Sequence, residues 1–381
     1  MRKILFVIES LSGGGAEKIL VDLLKNLDRS KYDITVLSIS SKGIYTEEVK
    51  QLCHYQKILP DYSTIKNRFG RIFYKVQYKL VYSLPIGIIS FMYMREKFDV
   101  EIAFVEGYAT KLVSASKHKK QKIAWVHTDF KQNHWTTQVY KSLGKEKKVY
   151  GKFSKILCVS RKVQDSFVEV MGMKEKAAVQ YNPLDTNEVK IKANEALNLP
   201  HKKFRFITVG RLVEQKGYDR LIEVANRLKE ERYRFEILIL GEGPDRIKLE
   251  RQISKYNLEN YISLLGFQKN PYKYMKQSDV FLCSSRAEGF STVATEALIL
   301  GLPILTTDCA GMKELFGVYN CGIITPNSDK GLYLGMKKVL SDISSLKLFE
   351  EDVKKRAKEF DIRKRIEEIE GVFDEKNNDY E

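Results

Sequence analysis

The sequence predicts an α/β protein of two domains, each with a parallel sheet covered by helices. The chain has 381 residues, and at about 150 residues per domain this length suggests two domains. Short β-rich runs alternate with helical patterns along the whole chain, which is typical of parallel sheets with helices on both faces. The composition, with 43% hydrophobic and 30% charged residues, is that of an ordinary globular protein and excludes a disordered, collagenous or disulfide-scaffold chain.

In the first half of the chain, five apolar runs predict strands, and two helical patterns between them stand out. The strand runs are Ile4–Ile8, Ile34–Ile39, Val100–Val105, Ile123–Val126 and Ile156–Val159. The helical patterns are Ala16–Leu27 and Thr110–Lys117. Each run is short enough for a strand that is buried on both faces of a sheet.

The second half repeats the alternation with six runs and four helical patterns. The strand runs are Phe206–Val209, Phe235–Leu240, Ile262–Leu265, Val280–Cys283, Ile304–Thr306 and Gly322–Ile324. The helical patterns are Tyr218–Glu231, Asp245–Tyr256, Thr292–Leu300 and Lys330–Leu340. Because a single open sheet of this many strands is unusual, we predict two Rossmann-like domains. A polar segment from Asn182-Pro183 to Lys203 separates them, so the predicted domains are 1–182 and 183–360, followed by a helical tail at 361–381.

The positive charge of the chain is concentrated in its first half. Residues 1–180 contain 32 Lys and Arg against 17 Asp and Glu, whereas residues 181–381 contain 33 against 32. General solubility does not explain such an asymmetry, but a basic surface that faces a partner does. The five cysteines show no C-x-x-C spacing, and the start of the chain lacks the apolar core of a signal peptide. We therefore expect a cytoplasmic protein.

Two glycine-rich or basic loops follow predicted strands and are candidate phosphate sites. The turn Ser12-Gly13-Gly14-Gly15 follows the first strand and opens a helix, where an anion is favoured. It lacks the third glycine of a dinucleotide fingerprint and is alternatively a plain tight turn. In the second domain, Val209-Gly210-Arg211 ends a strand and Lys216-Gly217 begins a helix. Two cations there suit a diphosphate, although they are alternatively two solvated charges.

The strongest pattern is Glu288-Gly289-Phe290-Ser291-Thr292, which joins a strand to a helix that continues through Glu296. Gly289 permits close approach of the backbone and Ser291 can cap the helix. Helical side chains lean toward the N-terminus, so Glu296 can reach a ligand at that end and accept hydrogen bonds from two adjacent sugar hydroxyls. Alternatively, both acids only complement the helix dipole.

The segment from Glu288 to Glu296 resembles the acidic motif of the retaining group 1 glycosyltransferases with the GT-B fold, a family that includes capsular and exopolysaccharide sugar transferases. Other landmarks of that family follow in order, namely the turn at 13–18, Asn182-Pro183, Val209-Gly210-Arg211, Lys216-Gly217 and Gly241-Glu242-Gly243. The resemblance implies two Rossmann-like domains facing a central cleft, with a nucleotide-diphosphate sugar held by the second domain and the acceptor received by the first. It implies no cofactor, and no D-x-D motif marks a metal site, so we expect no metal.

The resemblance also assigns roles to individual residues. Arg211 and Lys216 match the cations on the donor diphosphate, and Glu296 matches the acid that binds the ribose. The donor-sugar contacts match Glu288 and the amides of Gly289, Phe290, Ser291 and Thr292, although many relatives have glycine where this chain has Ser291. Gly14 and Gly15 match the loop that closes over the phosphates, and Gly210 lies beside Arg211 in the donor loop.

Two strand-end residues of the first domain are candidates on the acceptor side. His127, in Ala124-Trp125-Val126-His127, resembles the histidine that lies close to the reacting sugar in this family; alternatively, it is structural. Glu106, which also follows a strand, either touches the acceptor or is a solvated acid.

A basic, aromatic segment predicts a surface that binds anionic membrane. Between Tyr62 and Arg95 there are six cations and no acid. Drawn as a helix at about 100° per residue, Arg68, Arg71, Lys75 and Lys79 share one face. An apolar stripe that contains Phe69, Ile72 and Phe73 lies beside them, and Tyr74 and Tyr78 flank the cations on the other side. Such a face is typical of an interfacial helix; a core-packed helix with a solvated face is the alternative. Nucleic acid is not expected, because no recognised module accompanies the charge.

Together these features predict a retaining, metal-independent hexosyltransferase that acts at the inner face of the cell membrane. Its donor would be a nucleotide-diphosphate sugar, with UDP-sugar favoured, and its acceptor a lipid-linked glycan intermediate of surface polysaccharide biosynthesis. A GT-B sugar-nucleotide epimerase and a non-catalytic GT-B partner subunit are the alternatives.

Overall fold

The computed structural model describes residues 1–118 and 120–375. The chain folds into two compact units, of which the first runs from Met1 to Pro183 and includes the described residues from Arg363 onward, and the second is Leu184–Ile362. Within the described residues, no helix combines the length and the apolar composition needed to cross a bilayer.

The first unit is built on a parallel sheet of seven strands. Its strands are β1 (Arg2–Ile8), β2 (Tyr32–Ser40), β3 (His54–Leu59), β4 (Val100–Ala103), β5 (Gln121–Val126), β6 (Lys155–Cys158) and β7 (Ala177–Val179). Their order in the sheet is β3-β2-β1-β4-β5-β6-β7. Its helices are α1 (Gly15–Asn26), α2 (Thr46–Leu52), α3 (Arg68–Ser83), α4 (Ile86–Tyr93), α5 (Tyr108–Ser114), α6 (Thr137–Tyr140), α7 (Leu143–Tyr150) and α8 (Arg161–Met171). The central strands are buried, with Phe6, Phe104 and Trp125 fully inaccessible.

The second unit has a parallel sheet of six strands. Its strands are β8 (Phe204–Val209), β9 (Phe235–Leu240), β10 (Ile262–Gly266), β11 (Val280–Cys283), β12 (Ile304–Thr307) and β13 (Gly322–Thr325), in the order β10-β9-β8-β11-β12-β13. Its helices are α9 (Thr186–Ala193), α10 (Tyr218–Glu230), α11 (Arg246–Lys255), α12 (Tyr272–Lys276), α13 (Thr292–Ile299), α14 (Met312–Phe316), α15 (Asp329–Ser341) and α16 (Lys347–Lys358). The prediction of two α/β, Rossmann-like domains with parallel sheets is therefore confirmed.

The last described helix, α17 (Ile362–Asp374), packs against the first unit rather than the second. The Phe373 ring lies edge-on to Phe6 and Tyr32, with centroids 6.1 and 6.0 Å apart, and Gln121 Nε2 donates to the carbonyl of Val372 over 2.9 Å. The sequence predicts the helix but contains no sign of this return. The rest of the predicted tail, 376–381, lies outside the described residues.

The basic segment folds as two helices. Asn67 caps α3 by accepting a hydrogen bond from the amide of Gly70 over 2.5 Å, and α3 ends before Pro85, because the residue that precedes a proline is disfavoured in the helical conformation. Only Val81 of α3 is buried. The apolar stripe remains exposed, and it continues through Leu84 onto Ile88 and Phe91 of α4.

Candidate functional site

The second unit has its topological switch point between β8 and β11. The chain proceeds from β8 to β9 and β10 on one side, then crosses to β11, β12 and β13 on the other. The loops that follow β8 and β11 therefore diverge at the carboxyl edge of neighbouring strands, which is where open α/β sheets bind ligands. The predicted donor residues Gly210, Arg211, Lys216 and 288–291 belong to these two loops, and Thr292 begins the helix that follows the second loop.

The loop after β8 packs closely against the turn after β9, because glycines let the two backbones approach each other. Gly241 has a φ of 145°, and a Cβ there would lie 2.0 Å from the carbonyl oxygen of Gly210. The amide of Leu212 donates to the carbonyl of Glu242 over 2.9 Å. The turn Gly241-Glu242-Gly243 thus supports the loop that carries Arg211.

Arg211 and Lys216 differ sharply in their surroundings. Arg211 is exposed, and its guanidinium has no hydrogen-bond or ionic partner among residues 1–118 and 120–375. Lys216 Nζ lies 2.7 Å from Glu288 Oε1, and the two side chains are 23% and 9% exposed. Burial lowers the pKa of Lys216, but the Glu288 carboxylate, together with Cys283 and Tyr218 nearby, raises it, and the net shift is upward. Lys216 therefore stays charged while Arg211 is available to a ligand.

Glu288 also has a hydrogen-bond partner in its own loop. Ser285 Oγ donates to Glu288 Oε1 over 2.5 Å, so this oxygen has both a cation and a hydroxyl beside it. Gly217 has a φ of 67°, and a Cβ there would lie 2.2 Å from the carbonyl oxygen of Ser284. The close approach of the two loops at Gly217 is what allows Lys216 to reach Glu288.

Two further arginines hold the loop after β11 in place, in roles that no sequence motif predicted. Arg286 forms a two-point ion pair with Asp219 at 2.7 and 2.9 Å. Arg220 donates to the carbonyls of Ser284 and Ser285 at 2.6 to 2.8 Å. The available signal was weak: Arg286 directly precedes the Glu288 motif, and Asp219-Arg220 lie in the first turn of the helix after Lys216-Gly217.

The helix after this loop begins as its sequence predicts. Ser291 is the N-cap of α13 and accepts a hydrogen bond from the amide of Ala294 over 3.3 Å. Thr292 begins the helix, and Gly289 and Phe290 contact the next loop, where a Cβ on Gly311 would lie 2.6 Å from the carbonyl oxygen of Gly289.

Glu296 is buried one turn into α13. Its carboxylate accepts a hydrogen bond from the hydroxyl of Tyr272 over 2.8 Å. Tyr272 begins α12. This partner was not predictable from the sequence, because it lies 24 positions away with no motif around it.

In the first unit, Glu106 and His127 are brought together. Glu106 is buried, and its Oε1 accepts hydrogen bonds from the amides of His127 and Thr128 over 2.6 and 2.7 Å. It is therefore not a solvated strand-end acid; it orders the loop that follows β5.

His127 donates through Nε2, because its partner at 2.9 Å is the carbonyl oxygen of Phe104, which can only accept. Burial lowers the pKa of His127, against the opposing effect of the Glu106 carboxylate. The imidazole is thus neutral near pH 7, and Nδ1, which has no partner among the described residues, can only accept.

Gly14 and Gly15 lie after β1. Gly14 is the N-cap of α1 and Gly15 is its first residue, while the preceding Gly13 has a φ of 99°. The bend that this left-handed residue makes brings the start of α1 to the carboxyl edge of the first sheet.

Comparisons with known proteins agree with this architecture. The model of the family "Glycosyl transferases group 1" matches residues 189–360, and that of "Glycosyltransferase Family 4" matches residues 13–188. An uncharacterised glycosyltransferase of Methanocaldococcus jannaschii is 33% identical over 269 residues, which are 59% of this chain and 66% of the relative.

A second relative covers nearly the whole chain. It is the N-acetylgalactosamine-N,N'-diacetylbacillosaminyl-diphospho-undecaprenol 4-alpha-N-acetylgalactosaminyltransferase of Campylobacter jejuni, which is 29% identical over 95% of this chain and 96% of its own. Among solved structures, Anabaena HepE in complex with UDP-glucose superimposes with a TM-score of 0.77 at 20% identity, over 98% of this chain and 99% of HepE. The two family models, which match neighbouring parts of the chain, and the named relatives identify the chain as a glycosyltransferase, and its fold is the GT-B fold of its structural neighbours.

Proposed function

We propose that this glycosyltransferase moves a hexose from a UDP-sugar to a lipid-linked glycan intermediate of surface polysaccharide biosynthesis, with retention of configuration and without a metal ion. The observation that carries the proposal is the arrangement at the β8–β11 switch point. There, the exposed guanidinium of Arg211, which has no partner among the described residues, lies in the same short loop as Lys216, and Lys216 forms an ion pair with Glu288 of the neighbouring loop.

A diphosphate suits this loop better than a neutral ligand does. Arg211 and Lys216 offer two positive charges, and Lys216 keeps its charge because Glu288 raises its pKa. Charge-assisted hydrogen bonds to phosphate are about twice as strong as neutral ones. These two cations also supply the positive charge that a metal would otherwise provide to the leaving diphosphate.

The two acids of the site, Glu296 and Glu288, are assigned to the ribose and the sugar of the donor. Glu296, with one oxygen engaged by Tyr272, would accept hydrogen bonds from the ribose hydroxyls. Glu288 and the amides of 289–292 would contact the hexose. UDP is favoured as the nucleotide because the solved structure of Anabaena HepE with the same fold contains UDP-glucose.

The reaction exchanges one bond at the anomeric carbon. The bond from this carbon to the diphosphate oxygen breaks, a bond to the acceptor hydroxyl oxygen forms, and the hydroxyl proton passes to the departing UDP. Retention requires that the acceptor arrive on the face from which UDP leaves. Arg211 and Lys216 would stabilise the charge that develops on that diphosphate.

A lipid-linked acceptor is supported by the first unit. The Campylobacter jejuni relative has a diphospho-undecaprenol substrate in its name. Arg68, Arg71 and Lys75 lie exposed on α3 with Lys79, next to an apolar stripe in which Phe69 is 84% and Phe73 70% exposed. An amphipathic helix of this kind binds anionic bilayers, so the enzyme would work at the inner face of the cell membrane.

The test is a screen of UDP-sugars with bacterial membrane extract as acceptor, followed by mass spectrometry of the lipid-linked products. We expect a mass gain of one hexose unit with EDTA present, and NMR of the product should show the anomeric configuration of the donor. The double variant Arg211→Ala/Lys216→Ala is the inactive control. Conversion of one UDP-sugar into another without an acceptor would instead indicate an epimerase and overturn the proposal.

A further inference from the structure

Five tyrosine rings form a continuous row in the first unit. Tyr62, Tyr74, Tyr78, Tyr82 and Tyr108 follow one another with centroid separations of 5.1, 6.1, 4.7 and 4.8 Å. Three of them recur every fourth residue along α3, which brings their side chains together on one face of the helix. We call these five residues the tyrosine row.

Core packing does not explain the row. Tyr62, Tyr78 and Tyr82 are 42%, 48% and 41% exposed, so much of their apolar ring area remains in water. The hydroxyl of Tyr78 has no partner among the described residues. Partly exposed tyrosine rings have both an apolar face and a hydrogen-bonding edge, as binding surfaces often do.

One end of the tyrosine row lies at the topological switch point of the first sheet, between β1 and β4. Tyr82 donates from its hydroxyl to Glu9 Oε1 over 2.9 Å, and Tyr108 donates to the carbonyl of Val81 over 2.5 Å. Glu9 follows β1 and Tyr108 follows β4, two strands that are neighbours in the sheet and after which the chain diverges. This is the edge at which an open α/β sheet binds ligands.

The faces of α3 follow one another in a definite order. At about 100° per residue, the buried side at Val81 is followed by Tyr74 and Tyr78, then by the four cations with Tyr82 among them, and then by the apolar stripe that contains Phe69 and Phe73. An acceptor that consists of a lipid, an anionic link and a glycan has the same order from the bilayer outward. Tyr74 and Tyr78 therefore occupy the position that faces the glycan, and Tyr82 lies where the anionic link would meet it.

We propose that the tyrosine row binds the sugar rings of the acceptor glycan, and that Glu9 accepts a hydrogen bond from a hydroxyl of the sugar at the end of the row. The C–H bonds on the apolar face of a pyranose carry a small positive charge and pack against the negative face of an aromatic ring. Successive ring spacings of 4.7 to 6.1 Å suit linked pyranose units. This inference rests on the proposed function, since it locates the acceptor of that reaction.

The test compares acceptors that differ only in glycan length. The probes are synthetic farnesyl diphosphates that carry one, two or three linked N-acetylhexosamines. For Tyr78→Ala we expect about a five- to tenfold higher KM for the three-sugar acceptor, the size of one lost ring contact, and less than about a twofold change for the one-sugar acceptor. Tyr78→Phe, which keeps the ring, should lose much less, and Glu9→Gln should raise the acceptor KM. Leu334→Ala, at a side chain of similar exposure on α15 of the second unit, is the matched control.

Two readouts separate this inference from the proposed function. UDP affinity, measured by calorimetry, should be the same in wild type and Tyr78→Ala. A KM for the three-sugar acceptor that stays at the wild-type value in Tyr78→Ala, or an equal effect on all three acceptors, overturns the glycan role. If wild type transfers no sugar to any acceptor, the proposed function fails. Binding of the glycan to the tyrosine row is then measured separately by saturation-transfer NMR. In that experiment, signal on the three-sugar probe that disappears in Tyr78→Ala supports the role, and unchanged signal rejects it.

Discussion

Lys216 and Glu288, which are 72 positions apart in the sequence, form an ion pair of 2.7 Å between the loops that follow two neighbouring strands of the second sheet. The pair joins the cation that we assign to the donor diphosphate with the acid that we assign to the donor sugar. A carboxylate that is nearly buried needs such a partner, since an uncompensated charge in that environment is costly. The two assigned roles are therefore coupled, and removal of one side chain alters the state of the other.

Because of this coupling, we expect substitution of Arg211 and substitution of Lys216 to affect stability differently. Arg211→Ala removes an exposed side chain that has no partner within residues 1–118 and 120–375, so the free energy of unfolding should change by less than about 0.5 kcal/mol. Turnover should fall about 10- to 150-fold, as expected for a lost charge-assisted hydrogen bond. Lys216→Ala should lower turnover and also destabilise the protein by about 1–3 kcal/mol, because Glu288 loses its cation.

Urea unfolding and steady-state kinetics on both variants check this prediction. Lys216→Ala/Glu288→Gln is the matched control, because it removes the unpaired charge and should recover part of the stability without recovering turnover. Equal loss of stability in Arg211→Ala and Lys216→Ala would contradict the role of the ion pair.

Glu296→Ala should chiefly weaken nucleotide binding. A ribose contact is present in both the ground state and the transition state, so its loss raises KM for the donor more than it lowers kcat. The control is Tyr272→Phe, which removes the 2.8 Å hydrogen bond to Glu296 but leaves the carboxylate in place, and it should cost less affinity. Calorimetry with UDP decides the matter: equal UDP affinity in wild type and Glu296→Ala would show that this acid does not bind the ribose.

Much of the fold was predictable because its strands are buried on both faces. Phe235–Leu240 and Val280–Cys283 occur as the apolar runs predict. The two strands that were missed, β3 and β7, are the outer strands of the first sheet. Half of β3 is polar and β7 has only three residues, so neither gives the continuous apolar run of an inner strand.

The candidate site was predictable only where a loop motif carries it. The Glu288 motif and the Arg211 loop are local in sequence, and parallel strands bring their ends to one edge. Contacts such as Tyr272 with Glu296, or Tyr82 with Glu9, join elements that no local pattern connects. The sequence also gave no reason to expect Glu106 to bind backbone amides, because its burial depends on packing against the loop after β5.

The neutral state of His127 predicts a specific loss of stability in acid. Its pKa is lowered from the ordinary value of 6.5 because it is buried, although the Glu106 carboxylate opposes this effect. Below about pH 6.5, His127 binds a proton in the unfolded chain but not in the folded protein. The free energy of unfolding therefore falls as the pH drops, by at most about 1.4 kcal/mol per pH unit.

The variant His127→Gln isolates this effect, because its amide can still donate to the Phe104 carbonyl but cannot gain a proton. Unfolding in urea between pH 7.5 and 5 should show a shallower fall for the variant than for wild type. The carboxylates of the protein contribute equally to both curves. Parallel curves would mean that the pKa of His127 is the same in the folded and the unfolded protein.

Membrane binding should depend on α3 and α4 together. Each Lys or Arg near an anionic bilayer contributes about 1 kcal/mol, and this attraction is screened by salt. Reversal of Arg68, Arg71, Lys75 and Lys79 to Glu should therefore release the protein from vesicles of phosphatidylglycerol and phosphatidylcholine at low salt. The apolar side chains act at any salt concentration, and Phe91 of α4 is 66% exposed. Phe69→Ser/Phe73→Ser/Phe91→Ser should thus weaken the binding that survives high salt.

A control variant with the same change in net charge tests whether membrane binding depends on the α3 face or on net charge alone. Arg234, Lys248, Arg251 and Lys255 are exposed cations of the second unit, and their reversal to Glu should leave flotation with anionic vesicles unchanged. UDP affinity should be unaffected by the reversal on α3, since the proposed donor residues belong to the other unit. Wild type that fails to float with anionic vesicles at low salt would remove the membrane role of α3. Equal release by both reversals would show that net charge, rather than the α3 face, holds the protein to lipid.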